Sequence, residues 1–297
     1  MRVALTGGAG YIGCKLSEQL LNHDYEVVCI DWLKHGIQPV LHLIDRKNFH
    51  LHKVDICDPI VDKLIDQVEA VIHLAGIVGF PACDKEPELA HRVNIEGTKR
   101  IIDASKNKPF IYASTGSVFG KLNKACNEEC EAIPTSTYGV HKLTGEKYLK
   151  GKDAVILRPA TAFGVSSVLR IDLLVNYLTF KAVTEGKIIL FEKHFKRTFL
   201  SVNDLARSFR WALEKYDVMK GQIWNVGDIR LNCTKLDIAN IIKNKVDCEL
   251  IINDEVSHDK DSRDYFVDYS KIKNIGFEAT ETLEDGIENL IKVYEAK

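Results

Sequence analysis

Thr6-Gly-Gly-Ala-Gly-Tyr-Ile-Gly13 (TGGAGYIG) follows directly on the apolar run Val3-Ala4-Leu5, and its reading decides the fold. Gly8, Gly10 and Gly13 form G-x-G-x-x-G at a strand-to-helix turn. One glycine permits the tight turn, one lets the backbone reach a pyrophosphate, and one lets the helix pack closely on the strand. The helix that follows, with Leu16, Leu20 and Leu21 on its apolar face, points free N–H groups and its dipole at the anion. A second strand, Glu26-Val-Val-Cys-Ile30, ends in Asp31, 18 residues beyond Gly13. An acid there accepts hydrogen bonds from the adenosine ribose and repels a 2′-phosphate, so NAD is favoured over NADP.

Downstream, strand and helix signals alternate. Phe49-His-Leu-His-Lys-Val54 reads as a short strand ending in Asp55-Ile56, where the adenine of a doubly wound fold sits. His50 and His52 read as its solvated face. Residues 59–68 look helical, and Ala70-Val-Ile-His-Leu-Ala75 is a buried strand closed by Gly76. A helix from Glu86 to about Ser105 carries Asn94, and Phe110-Ile-Tyr-Ala-Ser114 is the next strand. A helix near 137–150 leads to the strand Ala154-Val-Ile-Leu157. Such βαβ alternation implies an α/β Rossmann fold, a doubly wound parallel sheet with helices on both faces. Residues 167–185 read as a helix and Gln222-Ile-Trp-Asn-Val-Gly227 as a late core strand. The tail from Lys235 reads as two helices around the strand Glu249-Leu-Ile-Ile252.

The 297 residues suffice for one large or two modest domains, with the 45% hydrophobic and 28% charged composition of an ordinary globular protein. Basic and acidic residues number 40 and 42, giving a net charge of −2 and no electrostatic case for nucleic acid or an anionic membrane as partner. No apolar run has membrane-spanning length and no signal peptide is evident, so the expected location is the cytoplasm. The 8 cysteines are scattered and only Cys126 and Cys130 are close, so no metal is expected; they read as buried apolar groups or free thiols.

The chemistry centres on Tyr138-Gly-Val-His-Lys142. Four residues apart on a helix, Tyr138 and Lys142 share one face. A phenol ionises near pH 10 and is a poor base at neutrality. An ammonium ~4 Å away at an effective dielectric of ~20 contributes roughly 4 kcal/mol, or about 3 pKa units before solvent screening. Tyr138 can then take a proton from a substrate hydroxyl. The strand end Ser114-Thr115, in Ala113-Ser-Thr-Gly-Ser-Val-Phe-Gly120, offers a hydroxyl to orient the reacting oxygen.

Together TGGAGYIG, HLAG (73–76), Asn94, ASTGSVFG (113–120), YGVHK and LRPATAFG (157–164) resemble the extended short-chain dehydrogenase/reductase family, whose members modify nucleotide-diphosphate sugars. The resemblance implies an NAD-binding Rossmann domain over 1–164 with 198–228, and a small mixed α/β cap for the sugar nucleotide over 165–197 with 229–297. It implies a catalytic triad of Thr115, Tyr138 and Lys142. Implied cofactor contacts around the glycine turn are Gly7, Gly10, Tyr11, Ile12, Gly13 and Asp31. Further along the cleft they are Asp55, Ile56, Leu74, Ala75, Gly76, Asn94, Tyr138 and Lys142. Implied substrate contacts are Val78, Thr115, Thr161, Asn176, Arg197 and Arg263, the two arginines as forked donors for a pyrophosphate. Each arginine also reads as a surface salt-bridge residue. A homodimer is implied, pairing the Asn94 helix with the Tyr138 helix.

Sugar 4,6-dehydratases of the family carry an Asp-Glu pair where this chain has Gly116 and Ser117, which demotes dehydration. The segments 169–176, 190–197 and 260–267 are similar to bacterial GDP-manno-heptose 4-dehydrogenases. The expected reaction is therefore NAD-dependent oxidation at carbon 4 of a nucleotide sugar, GDP-heptose leading. The alternatives are a 4-epimerase with the same triad and retained NAD, or a non-catalytic NAD-binding sensor.

Overall fold

The structure, a computed structural model, describes residues 1–120, 125–253 and 266–296. Seven strands form one parallel sheet: β1 (Arg2–Thr6), β2 (Glu26–Asp31), β3 (Phe49–Lys53), β4 (Ala70–His73), β5 (Phe110–Ala113), β6 (Ala154–Pro159) and, after further elements, β10 (Gln222–Val226). Their order is β10-β6-β5-β4-β1-β2-β3. The chain winds outward from β1 in both directions, so the C-terminal ends of β1 and β4 flank the crevice where such sheets bind ligands.

Alternation along the strands feeds two apolar layers. Val3, Leu5, Val27, Cys29 and Ile111 face one side with Leu16, Leu20, Leu205 and Phe209, from the helices Gly13–Leu21 and Val202–Glu214. Ala4, Val28, Ile30, Phe110 and Tyr112 face the other with Val61, Ile65, Ile101 and Ile102. Those come from the helices Ile60–Asp66 and Thr98–Ser105. Strands buried on both faces explain why they read as continuous apolar runs.

The remaining strands are β7 (Thr161–Phe163), β8 (Lys187–Leu190), β9 (Lys196–Ser201), β11 (Asn232–Thr234) and β12 (Glu249–Ile252). They make a three-stranded sheet, β11-β9-β7, and a parallel pair, β12-β8. Phe180 on the helix Leu174–Glu185 meets Tyr294 on the helix Leu283–Glu295 edge to face, ring centroids 5.4 Å apart.

Three expectations change. The helix expected over 167–185 begins only at Leu174, because an Arg170–Asp172 ion pair and the Asn176 amide hold the preceding residues as a loop. The strand expected in the core at 222–227 takes the sheet edge beside β6, although Trp224 and Val226 remain buried. The tail carries three helices among the described residues, the additional one being Ser270–Asn274. No helix among the described residues is long and apolar enough to cross a membrane.

Candidate active site

The glycine turn opens on a cleft of about 460 Å³. Gly7, Gly10, Tyr11, Ile12 and Gly13 line it on one side, with Asp31, Asp55, Ile56, Leu74, Ala75, Gly76 and Val78 further along. Gly13 shows why the turn tolerates no side chain: a Cβ there would lie 2.0 Å from the Gly7 carbonyl oxygen. Asp31 ends β2 with its carboxylate accepting from Ala9 N–H (3.0 Å) and Leu33 N–H (2.8 Å). Burial pushes this carboxyl above its ordinary pKa, against the pull of those two donors. For Asp55 burial also opposes ionisation, but the Cys57 N–H and the Arg92 guanidinium, 2.8 Å away, outweigh it and hold the pKa below the ordinary value. A bare glycine turn with an acid at the next strand end fits a dinucleotide with free ribose hydroxyls.

A loop covers this cleft. Val168, Leu169, Arg170 and Asp172 line its far side, and the loop is tied back to the glycine turn. The Tyr11 hydroxyl donates to the Gly164 carbonyl (2.7 Å), and the Ser166 hydroxyl to the Tyr11 carbonyl (2.7 Å).

Where the cleft ends, a second cavity of about 180 Å³ begins, sharing Tyr11, Ile12, Leu74, Val78 and Arg170 with the first. Thr115, Tyr138, Lys142 and Thr161 all line it. The helix Thr137–Tyr148 delivers the tyrosine and lysine; it starts where Ser136 Oγ accepts from Gly139 N–H (3.2 Å). The lysine is only 3% exposed. Its Nζ makes no hydrogen bond among the described residues and lies 5.0 Å from the centroid of the Tyr112 ring. Burial lowers the pKa of this ammonium from 10.5 to about 8, with the Cys83 thiol pulling weakly the other way. Thr115 caps a single helical turn, Gly116–Phe119, its Oγ1 accepting from Ser117 N–H (3.1 Å) and donating to Ser117 Oγ (3.2 Å).

Asn94 sits on a π-helical turn, Arg92–Gly97, that interrupts the helix expected over 86–105. The wide turn aims the amide at the β4 exit loop, where it accepts from Ile77 N–H (2.8 Å) and donates to the Ile77 carbonyl (2.9 Å). A Cβ on Gly76 would come within 2.9 Å of Asn94 Oδ1 and 3.7 Å of Lys142 Nζ. Asn94 therefore braces the wall beside the lysine.

The other expected substrate contacts are placed differently. Asn176, expected as a substrate contact, is 1% exposed, and its amide is spent on the backbone of Gly164 (2.9 and 3.3 Å) and Arg170 (3.1 Å), so it organises the loop. Arg197 is buried on β9 with its guanidinium 6.0 Å from the Phe195 ring and lines neither cavity. Arg263 lies outside the described residues. Two features escaped the sequence reading. Arg170 lines both cavities in a bidentate pair with Asp172 (2.7 and 2.6 Å). Glu146 continues the Tyr138–Lys142 face by one more turn and is buried against Ser114 and Arg158. The signal for Glu146 is present, an acid four residues beyond Lys142, but a lone acid on a helix does not announce burial.

Comparison with known proteins agrees with this geometry. Residues 3–227 match the model of the NAD dependent epimerase/dehydratase family. An uncharacterised UDP-glucose epimerase of Bacillus subtilis is 27% identical, covering 98% of this chain and 97% of its own. A putative UDP-glucose 4-epimerase of Methanocaldococcus jannaschii is 26% identical, with 97% of each chain covered. Among solved structures, the UDP-glucuronic acid 4-epimerase of Bacillus cereus, in complex with UDP-glucuronic acid and NAD, superposes with a TM-score of 0.87 at 28% identity. That match covers 100% of this chain and 99% of the other.

Proposed function

Because the chain belongs to the NAD-dependent epimerase/dehydratase family, we propose that it interconverts the carbon-4 epimers of a nucleotide-diphosphate sugar with its NAD retained. The observation that carries this reading is the single cavity lined by Thr115, Tyr138 and Lys142 at the end of the cofactor cleft. Bound NAD supplies the oxidant for carbon 4 and, once reduced, the means to restore it. Tyr138 takes the proton from the carbon-4 hydroxyl and later returns it. The Lys142 ammonium, buried and without a carboxylate partner among the described residues, stabilises the phenolate, and Thr115 holds the reacting oxygen. The sugar must turn over between the two steps, so the intermediate and the cofactor both have to stay in place. The loop pinned by Tyr11 and Ser166 supports such retention.

The cavity lining contains no carboxylate among the described residues, and Gly116 and Ser117 stand in it where a dehydratase has its acid pair. Elimination of water lacks agents there. The relatives described above are named for epimerisation of UDP-sugars. They favour 4-epimerisation over the net oxidation of GDP-heptose expected from the cap motifs. Residues 165–197 with 229–297 serve in this proposal as the cap over the sugar nucleotide, with Arg263 as a pyrophosphate contact. Pairing of the Asn94 and Tyr138 helices in a homodimer is part of the same proposal, and gel filtration at the monomer mass contradicts it.

Tyr138→Phe tests the reading. With a panel of UDP-glucose, UDP-N-acetylglucosamine, UDP-glucuronic acid and a GDP-heptose, turnover on the best sugar should fall on the order of 10²- to 10⁴-fold. Turnover within a few-fold of wild type removes Tyr138 from the mechanism.

A further inference from the structure

We propose that Glu146 is a positioning residue that sets the spacing between Thr115 and Tyr138. One buried carboxylate ties together three pieces of backbone that shape the catalytic cavity. The inference rests on the epimerase reading, in which Thr115 and Tyr138 act on the same oxygen.

Glu146 lies one turn beyond Lys142 and two beyond Tyr138 on the same helical face. One carboxylate oxygen accepts from Ser114 Oγ and from Arg158 Nε (2.9 Å), and the other from an Arg158 terminal nitrogen (2.6 Å). Both members of the ion pair are 4% exposed. Ser114 is the residue before Thr115 and lines the cavity itself. Arg158 sits near the end of β6, directly before the cavity-lining residues Pro159, Ala160 and Thr161. Its guanidinium carbon lies 5.0 Å from the centroid of the Phe119 ring, on the turn that Thr115 caps. The catalytic helix, the β5 exit and the β6 exit thus meet on one side chain.

Fold stability alone does not explain this arrangement. A buried ion pair is often matched or bettered by apolar residues of similar volume. Here the pair also leaves the second terminal nitrogen of Arg158 buried without a hydrogen-bond partner among the described residues. Such a cost is understandable where the directional bonds of the pair hold a geometry that apolar packing would leave loose. Electrostatic tuning is not the reason either: the Arg158 charge neutralises Glu146, and the lowered pKa of Lys142 comes from burial with only Cys83 opposing. The expected signature is a loss in kcat with an unshifted pH profile.

The test uses the NAD-loaded protein and the best UDP-sugar of the panel, comparing wild type with Glu146→Gln, Ser114→Ala, the double variant and Tyr138→Phe. Each single variant should lower kcat about 10- to 100-fold, with KM and NAD affinity within about threefold of wild type. The double variant should lose no more than the worse single one, since both break the same link. If Glu146→Gln does not fold, Ser114→Ala decides alone, because it leaves the Arg158 pair intact. Near wild-type kcat in Ser114→Ala, losses that multiply in the double variant, or a shifted pH profile overturns the positioning role. Should Tyr138→Phe be inactive while these variants stay active, only this inference falls; should Tyr138→Phe stay active, the epimerase reading falls first.

Discussion

Replacing Lys142 by Met separates what the lysine does for the reaction from what it does to the fold. The side chain is 3% exposed, and burial lowers its pKa from 10.5 to about 8. Below about pH 8 the lysine is charged in both folded and unfolded chains, and the folded state carries the whole cost of burying that charge. Between about 8 and 10.5 the unfolded chain binds more protons, so wild-type stability rises with pH through that window. At ~1.4 kcal/mol per pH unit, the gap corresponds to about 3 kcal/mol. Lys142→Met has nearly the same length and no charge. The unliganded variant should be more stable than wild type by up to about 3 kcal/mol at neutral pH, the difference vanishing as pH passes 10.5. Urea unfolding of NAD-free protein over a pH series reads this directly, while turnover of the variant should drop on the order of 10²-fold or more. A variant that is destabilised at neutral pH, or whose stability difference does not change with pH, refutes the picture of an unpaired ammonium held in a dry wall.

Three further changes probe the surroundings. Asp31→Asn halves the acceptor capacity facing Ala9 and Leu33 and, in the proposed cofactor placement, the ribose; it should weaken NAD binding about tenfold or more while narrowing the preference over NADP, as read by fluorescence titration. Asn94→Ala takes the acceptor from the Ile77 N–H, at ~1–3 kcal/mol, and leaves the Ile77 carbonyl only the Cys83 thiol (3.3 Å). Hydrogen exchange at the Ile77 amide should accelerate and kcat should fall. Tyr11→Phe removes the hydroxyl that fastens the covering loop, at Gly164, to the glycine turn, a link of ~1 kcal/mol, and should speed NAD dissociation about fivefold in stopped-flow displacement.

The parallel sheet was readable because its strands are buried on both faces and separated by helices of regular period, and the glycine turn because Gly13 has no room for a Cβ. Tyr138 and Lys142 were readable because a helix converts a spacing of four into adjacency. What stayed hidden depends on contacts distant in sequence. The π turn that aims Asn94 at Ile77 looks, residue by residue, like ordinary helix. The loop residues 167–173 looked helical because Val168, Leu169 and Leu173 are apolar, yet they line the two cavities and not a helical face. Asn176 offers a polar amide that the resemblance places on the substrate, and the fold uses it on the backbone of Gly164 and Arg170. Glu146 becomes meaningful only when β5 and β6 bring Ser114 and Arg158 beneath the same helix.

In the proposed reaction this site oxidises and re-reduces the same carbon without releasing its cofactor. Incubation of the protein as isolated with a UDP-sugar in D₂O, followed by proton NMR and the NADH absorbance band, tests it most directly. The expected product is the carbon-4 epimer, with the original hydrogen still on carbon 4 and no build-up of NADH. A 4-keto product with stoichiometric NADH, or an epimer carrying solvent deuterium at carbon 4, contradicts it.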